Sequence, residues 1–486
     1  MRGVCTRHLL HSSARMRNVG NPHNPHNPRN PRNPPPTHPE WFRRIVSEGG
    51  TKPPRLYAWT PEDLSQTATA TAKPSSYAKK PAVGNGNKGR ALDDRERRRI
   101  YILGVGNIGR LYAMCLSQVA NRPPITLVVH RRELLEHWVA EPGIELTRYE
   151  RVQRNADFDI EWWTDVASPS GVEVAGGHTL SNLIVATKAS DAVPQIDRVR
   201  RYLGSESTVT FTQNGMCNLW PPLGDAYVQA RFPSGMGPTW LACVTTHGVT
   251  SHGPFKSIHA APADAVIGPV TPGATGKEQV RNLMQAIADA PDLDARQVST
   301  KELWIRQLEK LVINAIINPL TAVLRCLNGE LLVARDDALP EVIDRLLDEA
   351  SQLLCALVAD SKSDEILLPR SESEAANSKE SAAESLRVSR EQLIERFSFP
   401  RLRKMVLDVG EKVVENTSSM LQDVRTGKQT EIDDINGWLL DTAKLVDQRC
   451  QLPTHEKLVA LVKARAALTR DELCAKLLGS RPILED

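Results

Sequence analysis

Long apolar runs, paired cysteines and a surplus of either charge are all missing from this chain of 486 residues. No apolar stretch approaches the roughly 20 residues that a bilayer-spanning helix needs, so no integral membrane protein is expected. The eight cysteines, Cys5, Cys115, Cys217, Cys243, Cys326, Cys355, Cys450 and Cys474, form no CxxC pair and no Cys/His cluster. That scatter fits free thiols in a reducing compartment and offers no zinc or other metal site. Basic residues number 61 and acidic ones 58, a net charge of +3, so no field of one sign recruits nucleic acid or an acidic partner. What is present is length enough for two or more domains and a 41% hydrophobic content that supports sizeable cores.

Acidic residues are also absent from residues 1–39, where Arg2, Arg7, Arg15 and Arg17 alternate with Leu and Ser. Such a segment reads as a mitochondrial transit peptide, with a plain basic tail in the cytoplasm as the other reading. The following NPHNPHNPRNPRNPPP has too many prolines for helix and too few apolar residues for a core. Ala, Thr, Ser, Lys and Gly dominate from Gln66 to Arg90. Residues 1–96 are therefore expected to be a disordered or targeting region, with order beginning near Arg97.

From there the apolar run Ile100 to Leu103 leads into Gly104, Val105, Gly106, Asn107, Ile108 and Gly109, and then into a helical pattern. The GxGxxG spacing between strand and helix fits a tight turn, a close backbone approach to a pyrophosphate, and strand-on-helix packing. A glycine turn that binds nothing is the plainer alternative. The second strand ends at His130, Arg131 and Arg132, where an NAD site would carry an acidic residue for the ribose diol. Either arginine can pair with a 2′-phosphate, so the expected cofactor is NADP(H). Two further strands deliver Lys188 and Asn214 at their carboxyl ends, the edge at which ligands of open α/β sheets sit. Each could equally be an ordinary polar loop residue.

Past Pro291 the pattern turns helical, over Glu302 to Leu324, Leu339 to Ser361, Phe397 to Thr417 and Glu431 to Val446. The expected fold is α/β: residues 97–290 as a Rossmann-type doubly wound sheet, residues 291–486 as an all-helical domain, and residues 361–392 as a Ser- and Glu-rich insertion. In the first helical run Lys310, Asn314 and Asn318 recur at i, i+4 and i+8, a polar stripe among Leu, Val, Ile and Ala. A helix so apolar should be buried, and a buried lysine needs a partner or a task. Asparagines that satisfy nearby backbone and a lysine that snorkels to water would explain the same stripe. Pro319, which lacks a backbone donor, is expected to bend this helix. Further on, Ser419 and Asp423 share helical spacing and Glu431 opens a last helix, where its charge also suits the helix dipole.

The blocks GVGNIG, IVATKAS, TQNGM, EKLVINAIINPLTAVLRCLNGEL and SSMLQDVRTGKQTEIDDINGWLL occur in the order and approximate spacing of one family. The chain resembles 2-dehydropantoate 2-reductase, also called ketopantoate reductase, from about Ile100 to Lys463. The resemblance implies NADPH-dependent reduction of 2-dehydropantoate to (R)-pantoate on the route to pantothenate and coenzyme A. It places the proton-donating lysine on Lys310. It places substrate contacts on Asn214, Asn314, Asn318, Asn328 and Ser419, and cofactor contacts on Gly104 to Gly109, Lys188, Asn214, Val249 and Glu431, with Arg131 or Arg132 on the 2′-phosphate. The chemistry agrees: hydride arriving at a ketone carbon leaves charge on the oxygen, which a proton-donating cation stabilises and quenches. Two alternatives stand beside it, a reductase of the same architecture acting on another small 2-oxo acid, and a non-catalytic mitochondrial binding protein on the same scaffold. A homodimer is compatible with either.

Overall fold

Strands buried along their whole length build the centre of the molecule. In the computed structural model, Ile100–Leu103, Ile125–Val129, Asn182–Val185 and Thr208–Phe211 show no exposed position, as strands covered on both faces should. The described residues are 40–47, 52–70, 94–221, 223–232, 235–271, 277–368, 379–446 and 450–479. The expected transit segment, the Asn-Pro repeat, most of the stretch to Arg90 and residues 369–378 of the insertion lie outside them.

Six parallel strands run in the order Asp159–Thr164, Ile125–Val129, Ile100–Leu103, Asn182–Val185, Thr208–Phe211 and Thr239–Thr245. Ala265–Pro269 adds an antiparallel neighbour, and Ala295–Gln297 closes that edge. Helices cover both faces, and one core runs from Phe211, Met216 and Trp240 into Trp304, Leu308 and Leu320 of the helical domain. The second core, around Ile102, Leu111 and Leu127, fills the other face. A four-stranded sheet of Gly248–Ser251, Lys256–Ala261, Ile144–Arg148 and Arg151–Asn155 sits beside the glycine turn. The Rossmann-type sheet and the helical C-terminal domain match the expected fold class.

The domain boundaries differ from expectation. Order begins before Arg97: the helix Glu40–Ser47 buries Phe42 and Ile45, and Tyr57–Trp59 pairs antiparallel with Asp159–Thr164 as the far edge of the large sheet. Three residues are too few to show a strand period. The start of the next helix, Pro61–Ala70, was readable, because Asp63 accepts from the Thr60 amide at 3.0 Å in half of a capping box, with Pro61 at the first helical position. At the other boundary the sheet continues past residue 290, to Gln297. The insertion also has a packed start, with Ile366 and Leu367 buried, and Leu393 directly after its end is buried too.

The long helix Thr300–Leu324 starts at Ser299, whose side chain accepts from the Glu302 amide. Pro319 does not interrupt it. A proline there cannot donate to the carbonyl of Ala315, one turn back, and that carbonyl instead accepts from Asn436 Nδ2 at 2.8 Å. Asn436 is fully buried on the helix Ile432–Val446 and also meets His455 Nδ1 at 3.0 Å. The missing backbone bond has become a tie between two helices. The third helical run is shorter than expected, Phe399–Lys412, and a separate helix, Ser419–Arg425, follows it with Ser418 as its cap.

Candidate active site

Each glycine of the turn after Ile100–Leu103 has a different reason to be there. Gly104 has φ +100° and a Cβ would lie 2.8 Å from the backbone of Ala186. At Gly109 a Cβ would lie 2.1 Å from the Gly104 carbonyl oxygen, so helix Asn107–Leu116 packs on its own turn. Nothing lies within 4 Å of a Cβ built on Gly106, and no side chain caps the helix that begins there. Open space beside uncapped helix amides suits a pyrophosphate. Asn107 donates from Nδ2 to the Val249 carbonyl at 3.1 Å and accepts from Ser257 Oγ at 3.2 Å, which ties the turn to the small sheet. Arg110 strengthens the tie, with Nη1 donating to the carbonyls of Gly253 and Lys256.

Lys310 projects from the long helix. Its ammonium donates to Asn214 Oδ1 at 2.9 Å and to the Thr245 carbonyl at 2.5 Å. Two of three donors are thereby used. Burial pushes this lysine down to about 8, against the opposing pull of Glu431 and Asp264. The buried Glu431 accepts from Asn214 Nδ2 at 3.2 Å, so Lys310, Asn214 and Glu431 form a chain of hydrogen bonds joining the sheet, the long helix and the last long helix. Gly215 makes that junction tight: with φ +79°, its Cβ would sit 2.6 Å from the Asp434 carbonyl oxygen.

Farther along the stripe, Asn318 Nδ2 reaches Ser419 Oγ at 3.5 Å. Ser418 fixes the helix that carries Ser419 by meeting Thr321 Oγ1 at 2.7 Å and accepting from the Leu421 amide. Asn314 is half-buried one turn after Lys310 and has no side-chain hydrogen bond among the described residues. Asn328 is buried, its backbone amide donates to the Asn416 carbonyl, and its Oδ1 is unpaired. No bond joins it to the other expected site residues.

Lys188, at the end of strand Asn182–Val185, crosses between domains to Asp423 at 2.7 Å. Burial alone draws its ammonium down, but Glu431, the Asp423 bond and Asp434 outweigh that, and the net direction is up. Asp423 shifts upward as well, because its own desolvation exceeds the help from Lys188. The pair therefore holds the positive charge better than the negative one. Asp434 beside it is pushed up to about 7 by burial and by the repulsion of Glu431, Asp433 and Asp191. Of the two candidate arginines, Arg132 pairs with Glu136 at 2.8 Å, whereas Arg131 precedes helix Arg132–Ala140 in extended backbone, exposed and without an ion pair among the described residues.

Reading the sequence missed several participants. Thr245 acts through its carbonyl, which leaves no mark in residue type, and Arg110 looks like any helical arginine. Asp423 and Asp434 had a signal, acidic residues at helical spacing beside Ser419 and Glu431.

The family model described as ketopantoate reductase PanE/ApbA matches residues 100–272, and its C-terminal counterpart matches residues 302–466. The chain belongs to the ketopantoate reductase family. Family members are nicotinamide-dinucleotide-dependent oxidoreductases acting on CH–OH groups, and this chain is such an oxidoreductase. A ketoisovalerate reductase of Gibberella fujikuroi is 40% identical over 452 residues, covering 91% of this chain and 99% of that protein. A probable 2-dehydropantoate 2-reductase of Schizosaccharomyces pombe is 27% identical, covering 76% and 97%. The crystal structure of a probable 2-dehydropantoate 2-reductase from Bacillus subtilis shares the fold, with 23% identity, a TM-score of 0.51, and coverage of 76% of this chain and 99% of that one.

Proposed function

We propose that the protein reduces a small branched 2-oxo acid with NADPH, and that 2-ketoisovalerate is preferred to 2-dehydropantoate. The observation that carries this choice is the 40% identity, over almost the whole of its length, to an enzyme named for ketoisovalerate, against 27% to a relative named for 2-dehydropantoate. The pantoate reading rested on motifs that both kinds of enzyme share, so it gives way to the alternative of a related 2-oxo acid reductase. Ketoisovalerate is the smaller acid by one hydroxymethyl group.

The nicotinamide supplies the hydride when bound. Lys310 keeps one N–H without a partner among the described residues and can direct it at the ketone oxygen, stabilising the developing charge and then yielding its proton. A pKa near 8 suits a group that must be charged before the reaction and neutral after it. Asn214 positions the ammonium through Oδ1 while Glu431 fixes the amide's orientation through Nδ2. Asn314, Asn318 and Ser419 offer hydrogen bonds to the carboxylate end of the substrate. The unpaired and exposed Arg131, at the end of the second strand, supports the choice of NADPH through its 2′-phosphate.

The test is steady-state oxidation of NADPH by the purified full chain with each acid in turn. A higher kcat/KM for ketoisovalerate is expected. A higher value for 2-dehydropantoate returns the pantoate reading, and no oxidation with either removes the enzyme reading.

A further inference from the structure

The strand Tyr57–Trp59 does more than close a sheet edge. Its register puts Trp59 opposite Trp162, and Trp162 lies opposite Val129, so one row crosses three strands at the carboxyl end of Ile125–Val129. Val129 immediately precedes His130, Arg131 and Arg132. The segment before the nucleotide-binding motif is thereby registered onto the place where cofactor type is read.

The Trp59 indole is held firmly. Its Nε1 donates to the Val166 carbonyl at 2.9 Å, its ring lies 5.7 Å from that of Trp162, and only 7% of the residue is exposed. Asp63, one helical turn on, accepts from the Ser170 amide at 2.9 Å and anchors the same segment to the turn that follows strand Asp159–Thr164. Over the Trp59 ring, 5.8 Å from its centroid, lies the guanidinium of Arg132, within range for a cation–π contact. Glu136 holds the same guanidinium from its own helix. Arg132 is thus fixed from two sides, next to an exposed Arg131 that has no ion pair among the described residues.

We infer that Trp59 is a positioning residue for cofactor choice, holding Arg132 so that it and Arg131 form a two-guanidinium cradle for a 2′-phosphate. The inference rests on the reading that the enzyme uses NADPH. A phosphate of nearly two negative charges suits two cations, and a planar ring fixes the plane of one guanidinium before the ligand arrives. Trp59 touches neither substrate nor cofactor in this arrangement; it acts through Arg132.

Kinetics of the full chain with NADPH and with NADH test it. In Trp59→Leu, KM for NADPH should rise roughly three- to tenfold, the size of a cation–π contact, with kcat nearly unchanged and both constants for NADH in place. Trp59→Phe, which retains a ring face, should recover most of the loss. Equal losses with both cofactors, or an unchanged NADPH-to-NADH preference, would overturn the inference. Should Trp59→Leu not fold, Arg132→Met leaves the sheet edge intact. It should lower the same preference, and an unaltered preference again sinks the idea. A wild-type chain without preference for NADPH defeats the underlying reading instead, so the two failures are distinguishable.

Discussion

Two lysines of the candidate site are held in opposite ways. Lys310, from the helical domain, donates to an amide oxygen and a backbone carbonyl, with no carboxylate in direct contact among the described residues, and burial brings it down to about 8. Lys188, from the sheet, is 42% exposed, bonds directly to Asp423 and is raised. The difference lies in what neutral and charged partners do to an ammonium. Neutral acceptors orient it and leave it ready to lose a proton, whereas carboxylates keep it charged. On the proposed reading the two have separate tasks, proton delivery for Lys310 and a lasting positive charge between domains for Lys188.

The contrast breaks most visibly at Lys310. Lys310→Met should lose about 10²- to 10⁴-fold in kcat, the usual worth of general acid catalysis, with NADPH binding nearly intact. Stability should change by no more than about 1 kcal/mol, because removing a desolvated ammonium offsets two acceptors left unpaired. The sign follows from linkage: a lysine whose folded pKa lies below its unfolded value costs stability while protonated, and that cost fades as pH rises through about 8. Steady-state rates, cofactor fluorescence and thermal melts of the same variant check all three. Full kcat would end the assignment of Lys310 as proton donor.

The next effect is a shift in pH. Because reduction needs the ammonium form, kcat/KM should fall as pH rises above about 8. Glu431 favours that ammonium electrostatically. Glu431→Gln removes the charge while keeping an acceptor for Asn214, so the falling limb should move to lower pH. A limb that stays in place would show that Lys310 does not set it.

Much of this site was legible because its chemistry needs residue types that are costly in an apolar helix. Lys310, Asn314 and Asn318 stood out for that reason, and the glycines of the turn stood out by spacing. What stayed hidden depends on backbone rather than side chain, such as the Thr245 carbonyl, or on partners distant in sequence. Asn436 is one such partner: it satisfies the carbonyl that Pro319 leaves free, and nothing local to residue 436 says so. Trp59 is another, since a three-residue strand has no period and gains its meaning from the edge it joins. The continuity of the helix through Pro319 was hidden for the same reason, because a hydrogen bond from another helix cannot be read within the helix itself.

The smallest effect belongs to Lys188. Ion pairs as exposed as this one are worth roughly 0.2 to 1 kcal/mol, so Lys188→Met should lower stability by about that amount near pH 8. There Asp423, Glu431 and Asp434 all lose the ammonium that acts on them. As pH falls through about 7 Asp434 takes up its proton, the repulsion among these carboxylates weakens, and the penalty should shrink. Denaturant melts of Lys188→Met and wild type at pH 6 and pH 8 measure the difference. The falling limb of activity should stay near pH 8 in this variant, because the charges that act on Lys310 are Glu431 and Asp264. A limb displaced as far as in Glu431→Gln would mean that the two lysines titrate as a coupled pair, and that the division between proton donor and permanent cation is wrong.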